Sequence, residues 1–184
     1  MPLTMHEGRI PDGWGGGTSP PAQRYGSPSS SLRIALVNNM PDPAFEDTGR
    51  QFFTLLNAAA GDHKVSLQLF SLPQIVRGER VLDHFKASYS DIRDLFNGQF
   101  DGVVITGTEP LKRNLREEAY WGALTELFDW AERNTASAVL SCLAAHASVL
   151  HSDGIERCPL PDKQFGVFEF PTSDHALMRQ IAGT

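Results

Sequence analysis

Apolar residues along this chain recur with two different periods. Short runs that are continuous or alternate with polar residues predict strands at Arg33-Ile34-Ala35-Leu36-Val37-Asn38-Asn39, from Val65 to Leu72, from Phe100 to Gly107 and from Ala138 to Ser141. Between them the spacing is helical. Ala44 to Ala60 places Phe45, Phe52, Leu55, Leu56 and Ala59 on one stripe, with Gly61 as a stop. Ser90 to Asn97 predicts a short helix ended by Gly98. Glu117 to Asn134 carries Tyr120, Trp121, Leu124, Leu127, Phe128 and Ala131 on one face, and Leu143 to Ser152 is a short helix closed by Gly154. Lys163 to Phe170 reads as a fifth strand.

Strands separated by helices imply right-handed crossovers. The expected fold is therefore α/β: a mostly parallel sheet with helices on both faces. Ligands of such sheets bind at the carboxyl ends of the strands. Three polar exits gather there: Asn38-Asn39, Thr106-Gly107-Thr108 and Ser141-Cys142.

Residues 1–31 break the alternation. Pro, Gly and Ser supply about half of them, including Gly15-Gly16-Gly17 and Pro20-Pro21. Such a segment buries too little apolar surface to offset its ordering entropy, so it reads as a flexible tail pinned at most by Trp14 or Tyr25. Its glycines are not a phosphate loop, because no strand is expected before them and no helix after them. Residues 32–184 form the α/β domain.

Composition narrows the class. The chain has 184 residues, 41% of them apolar, enough for one domain with its own core. No apolar run approaches the roughly 20 residues that span a bilayer, and no basic-then-apolar leader opens the chain. A cytoplasmic location is expected, with no membrane partner. The net charge of −6 argues against nucleic acid as the main partner. Two cysteines, Cys142 and Cys158, are too few for a disulfide framework and lack a zinc-ligand pattern, so no metal is expected.

The chemistry concentrates at Ala138-Val139-Leu140-Ser141-Cys142-Leu143-Ala144-Ala145-His146, where an apolar strand runs into a thiol and a helix begins at once. A sharp strand-to-helix turn lifts its central side chain above the sheet edge and aims the first helical N–H groups at it. A helix N-terminus favours negative charge, whether thiolate or oxyanion. This is the geometry of a nucleophile elbow. The usual signature has glycine two residues to either side of the nucleophile; Leu140 and Ala144 stand there instead. The segment reads equally as a buried cysteine in a layer of small residues. Cys158 lies in a Glu-Arg-Cys-Pro loop with no strand before it and suggests no chemistry.

A nucleophilic cysteine needs a base. His146 lies four residues on, along the same helix face, beside or below the thiol rather than across a substrate from it. It reads as a packing residue or one that acts through a neighbour. His151 is expected to meet the exposed carbonyls of the helix end, and His175 reads as a surface residue. No His-x-Glu pair follows Cys142.

Several segments together carry a resemblance. They are Leu36-Val37-Asn38-Asn39-Met40-Pro41, Ile105-Thr106-Gly107, Ala119-Tyr120-Trp121, Ser141-Cys142-Leu143-Ala144-Ala145-His146-Ala147, Leu150-His151-Ser152-Asp153-Gly154-Ile155 and Lys163-Gln164-Phe165-Gly166-Val167-Phe168. In this order they resemble the homoserine O-acyltransferases of methionine biosynthesis, the homoserine O-succinyltransferase family, over residues 32–184. The resemblance implies a fold similar to class I glutamine amidotransferases, of the flavodoxin-like type. It implies that Cys142 takes the acyl group of succinyl-CoA or acetyl-CoA as a thioester, which the hydroxyl of homoserine, or of serine, then attacks. Leu143 would offer one oxyanion-hole N–H, with the second near Gly107 or Thr108. Lys163 would contact substrate, and Asn39 and Leu111 are further candidate substrate contacts. Acyl-CoA is a co-substrate, and no bound cofactor is implied.

The chain departs from the family pattern in places. Leu143 stands where the family usually has Trp, and His146 where it usually has Gln. Thr108-Glu109-Pro110-Leu111-Lys112-Arg113 differs from the common Ala-Pro-Leu loop. Leu111 falls where Gly goes with succinyl and Glu with acetyl transfer, so the acyl choice stays open. Lys112, Arg113 and Arg116 are candidates for a succinyl carboxylate or CoA phosphates, or are solvated charges before a helix. The family's base is a His followed two residues later by a Glu, well downstream of the nucleophile, and the chain ends at Thr184 before that region. A fragment, incomplete at its C-terminal end and inactive alone, is therefore expected, and the free edge of its sheet would favour a homodimer. Two other readings stand beside this one: a glutamine amidohydrolase of the same fold, and a binding module without catalysis.

Overall fold

The computed structural model describes residues 3–5, 11, 14, 31–158, 160–162, 166–169 and 174. In chain order the elements are β1 (Leu3–Met5), β2 (Leu32–Val37), α1 (Asp42–Ala59), β3 (Val65–Phe70), α2 (Glu79–Ser88), α3 (Ile92–Asn97) and β4 (Gly102–Thr106). One 3-10 turn (Leu115–Glu117), α4 (Trp121–Asn134), β5 (Ser137–Ser141) and α5 (Leu143–Asp153) follow. All strand pairs are parallel, in the order β1-β3-β2-β4-β5. Without β1 this is the doubly wound, flavodoxin-like order, with the first strand of the domain between the second and third.

Alternation along the strands splits the core in two. Ala35, Val37, Val103 and Ile105 face one side, where Leu95 of α3, Leu124 and Leu127 of α4, and Ala144, Ala147 and Leu150 of α5 cover them. Leu36, Leu67, Leu69 and Val104 face the other, against Phe53 of α1. Burial on both faces explains why these strands read as nearly continuous apolar runs.

Residues 1–31 do not all stand apart from the domain. Leu3–Met5 pairs in register with Val65–Leu67, and Leu3 is buried. A strand therefore precedes the glycines at 15–17, contrary to the sequence reading. Trp14 is the pin: its ring stacks obliquely on Phe53 at 5.7 Å and it is buried. Tyr25 lies outside the described residues.

Element boundaries moved for local reasons. α1 starts two residues early because prolines at its first turn need no N–H partner there. Asp91, not Ser90, caps α3, its Oδ1 accepting from Arg93 N at 2.9 Å; the Ser90 N–H is engaged by Leu69 O. α2 was missed although Val81, Leu82 and Phe85 recur on it at helical spacing; Val81 is its one buried residue. α4 starts at Trp121 rather than Glu117, after the 3-10 turn. Residues 166–169 are not in a strand; 163–165 and 170 of that expected strand lie outside the described residues. Among the described residues β5 pairs with β4 alone, and Val139 on it is half exposed at 53%.

Candidate active site

The register brings the carboxyl ends of four strands level, with Val37 opposite Phe70 and Ile105, and Thr106 opposite Ser141. Cys142 follows Ser141 at once. Its φ of 58° and ψ of −131° make it the one non-glycine residue with positive φ among the described residues, and it is exposed. Such a conformation persists only where surrounding packing fixes it, and it clusters at functional sites. The packing is visible. Leu143, Ala144, Ala147 and Leu150 of α5 are buried, and Gly107 lies so close to α5 that a Cβ there would be 2.6 Å from Ala144 N.

The Gly107–Thr108 loop flanks this corner. The Gly107 N–H donates to Ser141 O at 3.1 Å, prolonging the β4–β5 ladder by one bond. This N–H is thus engaged, which departs from its expected part in an oxyanion hole. What Gly107 contributes is close approach to α5.

Under the loop lies a buried polar network. Asn39 N–H donates to Thr106 Oγ1 at 2.8 Å, Asn39 Nδ2 to Thr106 O at 3.1 Å, and Leu72 N–H to Asn39 Oδ1 at 2.9 Å. Asn39 is 2% exposed. The expectation that it contacts substrate is therefore not met: its amide is used internally, joining the ends of β2, β3 and β4. Asn38 Nδ2 donates to Phe45 O and Tyr89 Oη, and Thr106 Oγ1 to Asn38 Oδ1. Arg77 completes the cluster, donating to Asn38 O, Met40 O, Ser71 Oγ and Asp42 Oδ1, with its guanidinium 3.9 Å over the Phe45 ring. Burial lowers the Arg77 pKa, countered in part by Asp42, and pushes the Tyr89 phenol upward.

A second buried group shapes the loop that follows. Glu118, 6% exposed, turns back so that Oε1 accepts the N–H groups of Leu111 and Lys112, each at 2.6 Å. Leu111 itself is 86% exposed. Neither Arg77 nor Glu118 carries a local signal in the sequence, because each serves backbone groups far along the chain or around a turn.

The homoserine O-succinyltransferase family model matches residues 24–183. The chain belongs to the homoserine O-succinyltransferase family. A homoserine O-succinyltransferase of Rhodopseudomonas palustris is 48% identical over 151 residues, covering 82% of this chain and 45% of that protein. One from Bradyrhizobium japonicum is 47% identical over 139 residues, 75% of this chain and 43% of that protein. One from Cardiobacterium hominis is 35% identical over 152 residues, 82% of this chain and 43% of that protein. The chain spans a little under half the length of these relatives.

Set against the residues expected of such a transferase, the structure brings together Cys142, Leu143, Gly107 and Thr108. Leu111 stands at the outer turn of the same loop. His146 is exposed, one turn along α5 from Cys142, and no hydrogen bond joins the two. His151 does not meet helix carbonyls as expected; its Nε2 lies 2.8 Å from Asp129 Oδ1 on α4. The His-x-Asp triplet His151-Ser152-Asp153 also follows Cys142 in sequence, but at the far end of α5 and turned to that partner. Lys163 and His175 lie outside the described residues. Among the described residues no group of His, Cys, Asp and Glu is arranged to hold a metal ion.

Proposed function

We propose that this chain carries the acyl-accepting part of a homoserine O-acyltransferase site, with Cys142 as nucleophile. The observation that carries the proposal is the positive φ of Cys142 at a strand-to-helix corner, packed against Gly107. Cys142 Sγ gives up its proton and adds to the thioester carbonyl of an acyl-CoA. The N–H groups of Leu143 and Thr108 take the developing oxyanion. The bond from carbonyl carbon to the CoA sulfur breaks, CoA leaves and takes up a proton, and an acyl-cysteine remains. The hydroxyl of homoserine then adds to that thioester, loses its proton, and expels Cys142 as O-acylhomoserine forms.

Succinyl-CoA is the preferred donor in this reading, as the relatives' name suggests. Acetyl-CoA stands as the alternative, decided around Leu111. Lys163 is the proposed substrate contact. No histidine among the described residues faces Cys142 as a base, so the chain alone is expected to turn over slowly; loss of general-base help typically costs 100- to 10,000-fold. The reading needs no bound cofactor and no nucleic-acid partner. No helix among the described residues is long and apolar enough to cross a membrane.

Intact-mass measurement tests this. A Cys158→Ser chain incubated with succinyl-CoA should gain one succinyl group, lost in Cys142→Ser. No adduct with either acyl-CoA would reject the proposal, and a labile adduct formed from glutamine instead would favour an amidohydrolase.

A further inference from the structure

We infer that Asn39 is a positioning residue that sets the oxyanion pocket beside Cys142 through the Thr106–Gly107 peptide. The inference rests on the reading of Cys142 as an acyl acceptor and adds a device to it. The carbonyl of Thr106 and the N–H of Gly107 belong to one planar peptide unit. Asn39 Nδ2 holds the carbonyl end at 3.1 Å, and Ser141 O holds the N–H end at 3.1 Å. With both ends pinned, the plane cannot rotate about its long axis. That fixes Gly107 Cα against Leu143 and Ala144, and it fixes where the next peptide, carrying Thr108 N–H, is aimed.

The pin is itself held on every side. Asn39 Oδ1 is tied to Leu72 N, and Asn39 N–H to Thr106 Oγ1, whose hydroxyl points on to Asn38 Oδ1. Asn38 is in turn locked by Phe45 O, Tyr89 Oη and Arg77. A buried amide whose nitrogen and oxygen each hold a main-chain partner fixes those partners well. Three strand ends and the catalytic loop therefore share one side chain.

The test separates positioning from general stability. In a Cys158→Ser background, two rates are measured on Cys142: alkylation by iodoacetamide and acylation by p-nitrophenyl acetate or succinyl-CoA. Alkylation is displacement at a saturated carbon and builds no oxyanion, whereas acylation does. Asn39→Asp keeps the shape but sets an acceptor against the Thr106 carbonyl. It should slow acylation by about tenfold or more, since a misdirected oxyanion donor is costly. Alkylation should change by less than about twofold, because it follows thiolate character and access. Thr106→Val, which removes Oγ1 alone, should shift the same ratio less. It serves as the readout should Asn39→Asp fail to fold by circular dichroism. Equal losses in both rates, or unchanged acylation, would overturn the inference while leaving Cys142 as acyl acceptor. A parent chain that is never acylated would overturn both.

Discussion

The close approach of Gly107 to α5 yields a sharp prediction. Gly107 has no positive φ, unlike Gly61, Gly154 and Gly166, so alanine incurs no backbone penalty there and the effect is steric. The added Cβ would stand 2.6 Å from Ala144 N and 2.7 Å from Leu143 Cα, closer still to Leu143 Cβ. Non-bonded carbon atoms settle near 3.5–4.0 Å, so the two backbones must part by about 1 Å. None of the atoms met is the end of a flexible side chain, and relief requires α5 or the loop to shift. Overpacking of this kind costs about 1–3 kcal/mol, a large share of a stability of roughly 5–15 kcal/mol. A displacement of about 1 Å at reacting groups also costs up to about 100-fold in rate. Gly107→Ala should therefore lower the urea midpoint and slow acylation of Cys142 together. Gly122 in α4 is the control, since nothing lies within 4 Å of a Cβ there; Gly122→Ala should stabilise by roughly 0.5–1 kcal/mol from helix propensity. A Gly107→Ala chain with the parent's midpoint and acylation rate would refute the packing argument and the site built on it.

Three further outcomes are expected. Cys142→Gly should be more stable than Cys142→Ala by about 1–2 kcal/mol in urea unfolding, the reverse of the usual order, because glycine alone accepts φ 58° without strain. Glu118→Ala should leave the N–H groups of Leu111 and Lys112 without their acceptor, destabilise by about 1–3 kcal/mol, and raise hydrogen exchange at those two amides selectively. Tyr120 is buried with a hydroxyl that finds no hydrogen-bond partner among the described residues, and burial, with Glu118 nearby, pushes its pKa up to about 12. The folded chain then keeps this proton while the unfolded chain loses it near pH 10. The Tyr120 contribution is complete below pH 10 and disappears as pH rises toward about 12, with Tyr89 acting in the same direction. Urea midpoints taken from pH 9 to 11 should fall less steeply for Tyr120→Phe, and an equal slope would remove the desolvation argument.

Periodicity exposed the sheet and the helices that bury a stripe, because burial on both faces writes itself into consecutive apolar residues. It missed α2, a ten-residue helix in which Val81 is fully buried and Leu82 and Phe85 only partly so, and β1, three residues whose pairing with β3 depends on a strand some sixty positions away. The corner at Cys142 was legible because strand, thiol and helix are contiguous there. The resemblance to homoserine O-succinyltransferases is what suggested the role proposed for that thiol, which contiguity could not. The network beneath the loop was not legible. Asn39 has the look of any polar residue at a strand exit, where an amide that binds a ligand and one that ties Thr106 to Leu72 have the same sequence. Only burial and partners tell them apart. The same holds for Glu118, one acid among several charges before a helix until its carboxylate is found beneath a turn.

The strain at Cys142 and the exposure of β5 raise a common question: what holds a costly backbone conformation at the end of an edge strand? A non-glycine residue in this region costs roughly 1–3 kcal/mol. On one side, α5 buries Leu143 and Leu150 together with Ala144 and Ala147, and full burial of each leucine contributes about 1.5–3 kcal/mol. On the other, the Gly107 N–H bond to Ser141 O and the Asn39 clamp on Thr106 fix the neighbouring strand. The restraint therefore comes from α5, β4 and the exit of β2, all within this chain, and it does not require a neighbour on the free edge of β5. Val139 is half exposed on that edge, yet the corner at Cys142, two residues beyond Leu140, is fixed from the opposite face of the sheet. In the proposed reaction, forming an acyl-cysteine would draw on structure that this chain supplies itself, whereas proton transfer to and from a homoserine hydroxyl would call for groups that its described residues do not place beside the thiol.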